Sequence, residues 1–160
     1  SSLRKRIKRA QDVEFSESTD VQAVVDFYEL HLEEKVKLGD KAYALAAKLF
    51  QEAINRGCAK IYRVHNGQEM LATGLFLVKY NRIINVFAAS VNTKKHANSM
   101  SVLLAKIMEK HCGSNYVFDF EGSDIPGVKQ YFESFGSAPE NYPVKHYNRL
   151  PFWLKILRPH

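Results

Sequence analysis

Asp119 and Glu121 alternate with Phe118 and Phe120 in the stretch FDFEGSDIPGVKQYFESFG, residues 118–136. On a strand, period two puts both carboxylates on one face, about 6.5–7 Å apart along it. They could then share one cleft as candidate general bases. The same acids are also the kind that cap the next helix or pair with a lysine, and Ser123 and Asp124 are ready caps. Pro126 and Gly127 suit the first turn of that helix, and Phe118, Phe120, Phe132 and Phe135 read as core. A second cluster, Lys94-Lys95-His96, sits just before a helix start, where cations oppose the macrodipole unless an anion lies between them. His111 fits a helix C-terminus as a cation. Cys112 has no base partner that would make it a nucleophile, and Tyr142, His146 and Tyr147 could reach a cleft without being singled out by spacing.

Those groups need elements to hold them. Leu3, Ile7 and Ala10 recur at helical spacing among cations, predicting a short, half-exposed lead-in helix over 3–10. SESTD at 16–20 reads as a capping cluster for a helix whose apolar face is Val21, Val24, Val25, Tyr28, Leu32 and Val36, ended by Gly39. Asp40 is expected to cap a second helix with Tyr43, Ala46, Leu49, Phe50, Ala53 and Ile54 inward, closed at Asn55-Arg56-Gly57. The period then becomes two. Residues 59–65, 69–80 and 82–90 read as three antiparallel strands joined at Asn66-Gly67 and near Asn81. A helix over 99–111, a strand over 116–122, a helix over 125–136 and an extended segment ENYPVKHYNRL (140–150) complete the order.

Such an order predicts a mixed α/β fold: one mixed sheet, an antiparallel meander leading into a parallel strand-helix-strand crossover, with helices on both faces. Strands 82–90 and 116–122 would run parallel. Where they diverge, bare backbone around Phe87 to Val91 could orient an extended ligand, and the following helix start offers amides to phosphate.

Charge and composition narrow the field. The 160 residues are 46% hydrophobic, enough for one core, and no apolar run is long enough to span a bilayer. No export signal is visible, so a soluble, cytoplasmic protein with no stable membrane insertion is expected. Two cysteines outside any C-x-x-C pattern and six scattered histidines predict a reducing compartment and no metal. The net charge of +6 is local: Arg4, Lys5, Arg6, Lys8 and Arg9 carry five of 23 basic residues, and the rest nearly balance 17 acids. A solvated lead-in over 1–17 followed by one domain over 18–160 is the expected organisation, with phosphate binding by residues 4–9 as the alternative. The chain opens on Ser-Ser, which leaves room for a domain ahead of it. The tail LPFWLKILRP is apolar enough to pack on the domain or on a partner.

Element order, together with the 118–136 motif and the Pro139 and Tyr142 that follow, resembles the GNAT acyltransferase superfamily over roughly residues 15–148. Within it, the motif looks most like the C-terminal domain of bacterial FemAB-type proteins. The resemblance implies an acyltransferase moving an acyl group from acyl-CoA (acetyl-CoA) to a small-molecule or peptide amine. The donor would lie in a V-shaped opening between two parallel strands, held by Ala89, Ser90, Val91, Lys94, Lys95, His96, Ala97, Asn98 and Ser99, and Glu121 and Asp119 are the candidate catalytic bases beside it. A FemAB-type enzyme would instead take its aminoacyl group from tRNA, with residues 4–9 as the tRNA contact, act on a cell-wall precursor, and carry a second GNAT-like domain upstream. A third reading is an inactive binding module.

Two departures from the superfamily pattern bear on these readings. The motif that meets the pyrophosphate, an Arg or Gln, two residues, Gly, one residue, then Gly or Ala, is replaced by the glycine-free Lys94–Ser99. A side chain there holds backbone further from a ligand. Where many members carry the tyrosine that protonates the leaving thiolate, four residues before the helix-ending glycine, this chain has Phe132. Tyr131 is one step away, rotated by about 100°.

Overall fold

The alternating run after Gly57 becomes a hairpin-linked meander in the computed structural model, which describes residues 3–9, 13–93, 95–122, 125–141 and 143. Strands β2 (Ala59–Asn66), β3 (Glu69–Lys79) and β4 (Arg82–Ser90) pair antiparallel. Gly67 opens the first two-residue turn with φ of +56°. Tyr80 and Asn81 both adopt positive φ, +50° and +59°, in the second, the backbone twist that matches paired strands.

One strand escaped the sequence reading. Glu14–Ser18 is not a capping segment but β1, an edge strand paired antiparallel with β2 from Glu14↔His65 to Ser18↔Ile61. Its Ser and Glu residues resemble cap formers, and Phe15 alone supplies an apolar anchor, stacked on Tyr62 at 5.5 Å. Capping falls to Asp20, whose carboxylate accepts from the Ala23 amide at 3.0 Å. The sheet therefore has five strands in the order β1-β2-β3-β4-β5, where β5 is Val117–Asp119 and runs parallel to β4. It is a mixed α/β sheet with helices on both faces, as expected.

On one face pack α2 (Val21–Val36) and α3 (Asp40–Asn55), burying Val21, Val24, Val25 and Tyr43 against Ile61, Leu75 and Phe87. Gly39, not Asp40, is the N-cap of α3, and Asp40 is its first helical residue, where an acid suits the dipole. Leu49, expected inward, is 60% exposed, because α3 meets the sheet through Tyr43, Ala47, Phe50, Ala53 and Ile54. On the other face α4 (Ser99–Lys110) sinks Val102, Leu103, Leu104 and Ile107 against Tyr62, Leu71, Phe76 and Ile83. Helix α5 (Pro126–Glu133) adds Tyr131 and Phe132 to that cluster, with Phe118 and Phe135. The lead-in helix α1 (Leu3–Arg9) lies against α4 rather than standing free. Lys94, the caps proposed at Ser123 and Asp124, Tyr142, His146, Tyr147, most of the 140–150 extended segment and the tail lie outside the described residues.

His111 carries a pH signature. Burial, reinforced by Lys60 and Lys110, holds its imidazole below the ordinary 6.5. Burial also pushes the Tyr62 phenol up to about 12, so Tyr62 keeps its proton, and its hydroxyl and His111 Nε2 share a hydrogen bond of 3.1 Å. The unfolded chain binds a proton at His111 more readily than the fold does. This contribution to stability is therefore complete above 6.5 and is lost as the pH falls through the lower folded value. We expect Tm to decline across that window and His111→Gln to flatten the decline, as measured by calorimetry at a series of pH values.

Candidate functional site

Strands β4 and β5 part almost as soon as they meet. Their pairing covers Arg82↔Val117, Ile83↔Phe118 and Ile84↔Asp119. From Asn85 on, β4 pairs with β3, and no strand covers its other edge among the described residues. A bulge at Val86 marks the parting: Phe76 faces Asn85 and Leu75 faces Phe87 across the β3 ladder, leaving Val86 as the extra residue. Bulges bend a strand and re-aim its side chains.

Strand β5 stops early because Asp119 turns the chain. Its Oδ1 accepts from the Glu121 amide at 2.9 Å, and Glu121 sits at φ of +65°, outside strand geometry. Its Oδ2 takes the Arg82 guanidinium at 3.0 Å, and Arg82 also holds Glu140 at 2.8 Å. The expected strand-face pair of acids is thus not formed. A period-two spacing requires β backbone through both positions, and the turn removes it after the first. Asp119 is engaged in closing the β4–β5 seam, while Glu121 is exposed just beyond it.

A cleft of about 290 Å³ fills the divergence. Asn85, Val86 and Ala88 come from β4, Met100 and Leu104 from α4, and Val128, Tyr131 and Phe132 from α5, with Tyr28 of α2 at the far side. Neither Asp119 nor Glu121 is among these residues. The Tyr28 ring stacks on Phe87 at 3.7 Å and Phe132 stacks on Phe120 at 4.7 Å, so both aromatic walls are fixed by packing.

Tyr131 is the residue the sequence reading set aside. Its ring lines the cleft and its hydroxyl meets Ser101 Oγ at 3.0 Å, tying α5 to the first turn of α4. Burial pushes its phenol above the ordinary tyrosine range, against smaller opposing effects of Ser101 and the Arg6 guanidinium. The phenol therefore stays protonated at any ordinary pH. The available sequence signal was a serine near the start of one amphipathic helix and a tyrosine in the next. Only docking of the two helices brings them together.

Asn85 is the second residue without a sequence signal. Its Oδ1 is buried and has no hydrogen-bond partner among the described residues. An orphaned acceptor of this kind costs about 1–3 kcal/mol.

The predicted donor-binding residues lie at the far end of the β4 edge. Ala89 is buried, Ser90 and Val91 are half-buried, and the Val91 amide continues the ladder to Leu71 O at 2.9 Å. Lys95 and Ala97 are exposed, His96 and Asn98 half-exposed, and Ser99 is buried with its hydroxyl donating to His96 O at 2.8 Å. Asn98 occupies the N-cap position of α4 without a side-chain capping bond. Among the described residues no group of three or more His, Cys, Asp or Glu could hold a metal ion, and no helix is long and apolar enough to cross a membrane.

No family model and no curated protein sequence matches the chain. Solved structures do match in shape. A possible acetyltransferase from Clostridium difficile 630 superposes with a TM-score of 0.66 at 12% identity, covering 88% of this chain and 100% of that one. A predicted acetyltransferase with acetyl-CoA from Clostridium acetobutylicum gives 0.63 at 9% identity, over 85% and 96%. An aminoglycoside acetyltransferase from an uncultured soil metagenomic sample, in complex with sisomicin, gives 0.60 at 12% identity, over 88% and 97%. At these identities the likeness concerns the backbone, and with the five-stranded sheet parting between β4 and β5 it establishes that the chain has the GNAT fold.

Proposed function

We propose that the protein is an N-acyltransferase that moves an acyl group from acyl-CoA to an amine. The observation that carries this reading is the meeting, in one cleft, of the β4 edge, which no strand covers past Ile84 among the described residues, with the half-buried Tyr131 phenol. Structural neighbours bound to acetyl-CoA and to an aminoglycoside support it.

The residues present fit such a donor. The edge from Phe87 to Val91 offers backbone groups to a chain with amide bonds, as a missing strand would. Lys95 and His96, with the first turn of α4, suit phosphates, and Lys94 belongs to the same proposed set. The glycine-free loop keeps that contact looser than the superfamily motif does. Bound acyl-CoA supplies the acyl group as a thioester. Tyr131 Oη holds the proton the departing sulfur needs, and Ser101 fixes the direction of that hydroxyl. Arg82 and Asp119 hold the mouth of the cleft by keeping the seam shut below it. Glu121, beyond the seam and exposed, is the proposed acceptor, through solvent, of the proton the amine releases.

Calorimetric titration of the purified chain with CoA and acetyl-CoA tests the reading, and saturable binding of both is expected. No heat from either would remove the CoA donor and leave a tRNA-borne donor on the cations of residues 4–9, or a binding module, as the readings to pursue. Unchanged turnover in Glu121→Gln would withdraw the acid from the proton path.

A further inference from the structure

Helix α1 does not turn all its cations to solvent. Leu3, Arg6 and Ile7 recur at the three- and four-residue steps of one helix face and are half-buried, while Arg4, Lys5 and Lys8 are exposed. The helix it packs on is α4. Arg6 thus stands between two apolar residues on the inner face, its Nε closed to solvent and without a hydrogen-bond partner among the described residues. Helix α4 also carries Ser101, 4% exposed, whose Oγ meets Tyr131 Oη at 3.0 Å. Resting on the N-acyltransferase reading, we infer that Arg6 is a positioning residue of the transfer: its guanidinium, fixed on the inner face of α1, steadies the negative charge left on Tyr131 Oη when the proton goes to sulfur.

The groups around the phenol leave that role to Arg6. From α4 Ser101 offers a hydroxyl; from β4 and α2 the cleft adds Asn85 and Tyr28, both neutral at ordinary pH; on α5 itself Lys129 and Glu133 are exposed. Among the described residues, Arg6 is the charged side chain whose field acts on Tyr131. Burial makes the phenol a weaker acid, which keeps its proton in place but hinders its release. A nearby cation opposes burial, because it favours the phenolate and leaves the neutral phenol almost unaffected. Salt screens partly buried charges poorly, and a guanidinium stays charged at any working pH.

The transfer balances without a further reactant. The amine nitrogen forms a bond to the acyl carbon, the carbon–sulfur bond breaks, and sulfur leaves with the electron pair and takes the Tyr131 proton. The phenolate, held beside Arg6, regains a proton from water, and nitrogen loses one to water. A neutral amine and a thioester give an amide and a thiol.

The test grows the full chain with 3-fluorotyrosine in place of tyrosine, whose more acidic phenol titrates at lower pH. The fluorine signal of position 131, identified by its loss in Tyr131→Phe, is followed as the pH is raised with no donor present. Arg6→Gln is expected to move that titration to higher pH, and Arg6→Lys to leave it near the parent. Arg6→Met, which keeps bulk on the packed face, should repeat the glutamine result, so either neutral variant suffices. Lys8→Gln, at an exposed site on the same helix, should leave the titration in place. With acetyl-CoA and butylamine, Arg6→Gln of the ordinary chain should lower kcat about three- to ten-fold with little change in KM. Its alkaline limb should move upward, and Arg6→Lys should recover most of the loss. A purely structural role would lower stability and leave the titration where it was. A titration unmoved in the neutral variants, or moved equally by Lys8→Gln, would overturn the inference. If the titration moves while acetyl-CoA neither binds nor reacts, the coupling of Arg6 to Tyr131 stands and the acyltransferase reading fails. If acetyl-CoA reacts and the titration stays, the inference fails alone.

Discussion

Tyr131→Phe is expected to lower kcat by about 10²- to 10⁴-fold, the usual range for losing a positioned proton donor, with little change in KM for the acyl donor. The phenol lines the cleft and is oriented by Ser101 at 3.0 Å. Its removal strands that hydroxyl, at a cost of about 1 kcal/mol in stability, too little to unfold the chain. Thiol release followed in the steady state, beside a thermal melt, separates the two effects. Because burial raises the Tyr131 pKa, the alkaline loss of activity should lie above the ordinary tyrosine value of 10.0. Adding Phe132→Tyr to Tyr131→Phe distinguishes the two adjacent positions. The Phe132 ring is stacked on Phe120, so a hydroxyl there is not expected to replace the lost one. Recovery of turnover in the double variant would move the role to position 132.

Phe76→Ala should be the most damaging core substitution near the site, at about 3–5 kcal/mol. The side chain is fully buried, with its ring 5.7 Å from Tyr62 and 6.0 Å from Phe118, and its backbone faces Asn85 across the ladder at the bulge. Truncation leaves a cavity shared by β3, β5 and the α4 face, a region already closed by packing from both sides. For a chain of this size each kcal/mol moves Tm by roughly 2–4 °C, so a fall of about 6–20 °C is expected by differential scanning calorimetry. Leu49→Ala is the matched control: the residue is 60% exposed, and exposed truncations usually stay within about 0.5 kcal/mol.

The contrast between Phe76 and Leu49 shows where sequence reasoning holds. Both are large apolar residues in periodic segments, yet only one is core. In β3 the period and the turns on either side settle which residues face inward, because strand pairing fixes both faces at once. In α3 the apolar stripe is wider than the contact, and the angle at which the helix meets the sheet selects Phe50 over Leu49. The same division applies to the ends of β5. Val117 and Phe118 are legible as strand, but Asp119 bonds to the next turn and to Arg82, whose position comes from a hairpin 37 residues earlier.

By itself the sequence determined the helices, the hairpin meander, the crossover and hence the mixed sheet, since 3.6- and 2-residue periods, helix caps and two-residue turns are local properties of the chain. The edge strand β1 was hidden because its residue types serve equally well as caps, and only pairing with β2 decides between them. The cleft belongs to the tertiary structure. One wall depends on the bulge at Val86, and the candidate proton donor depends on α5 docking so that Tyr131 meets Ser101. Neither is encoded in the spacing of any single segment, because a bulge is defined against a partner strand and a helix face against whatever it packs on.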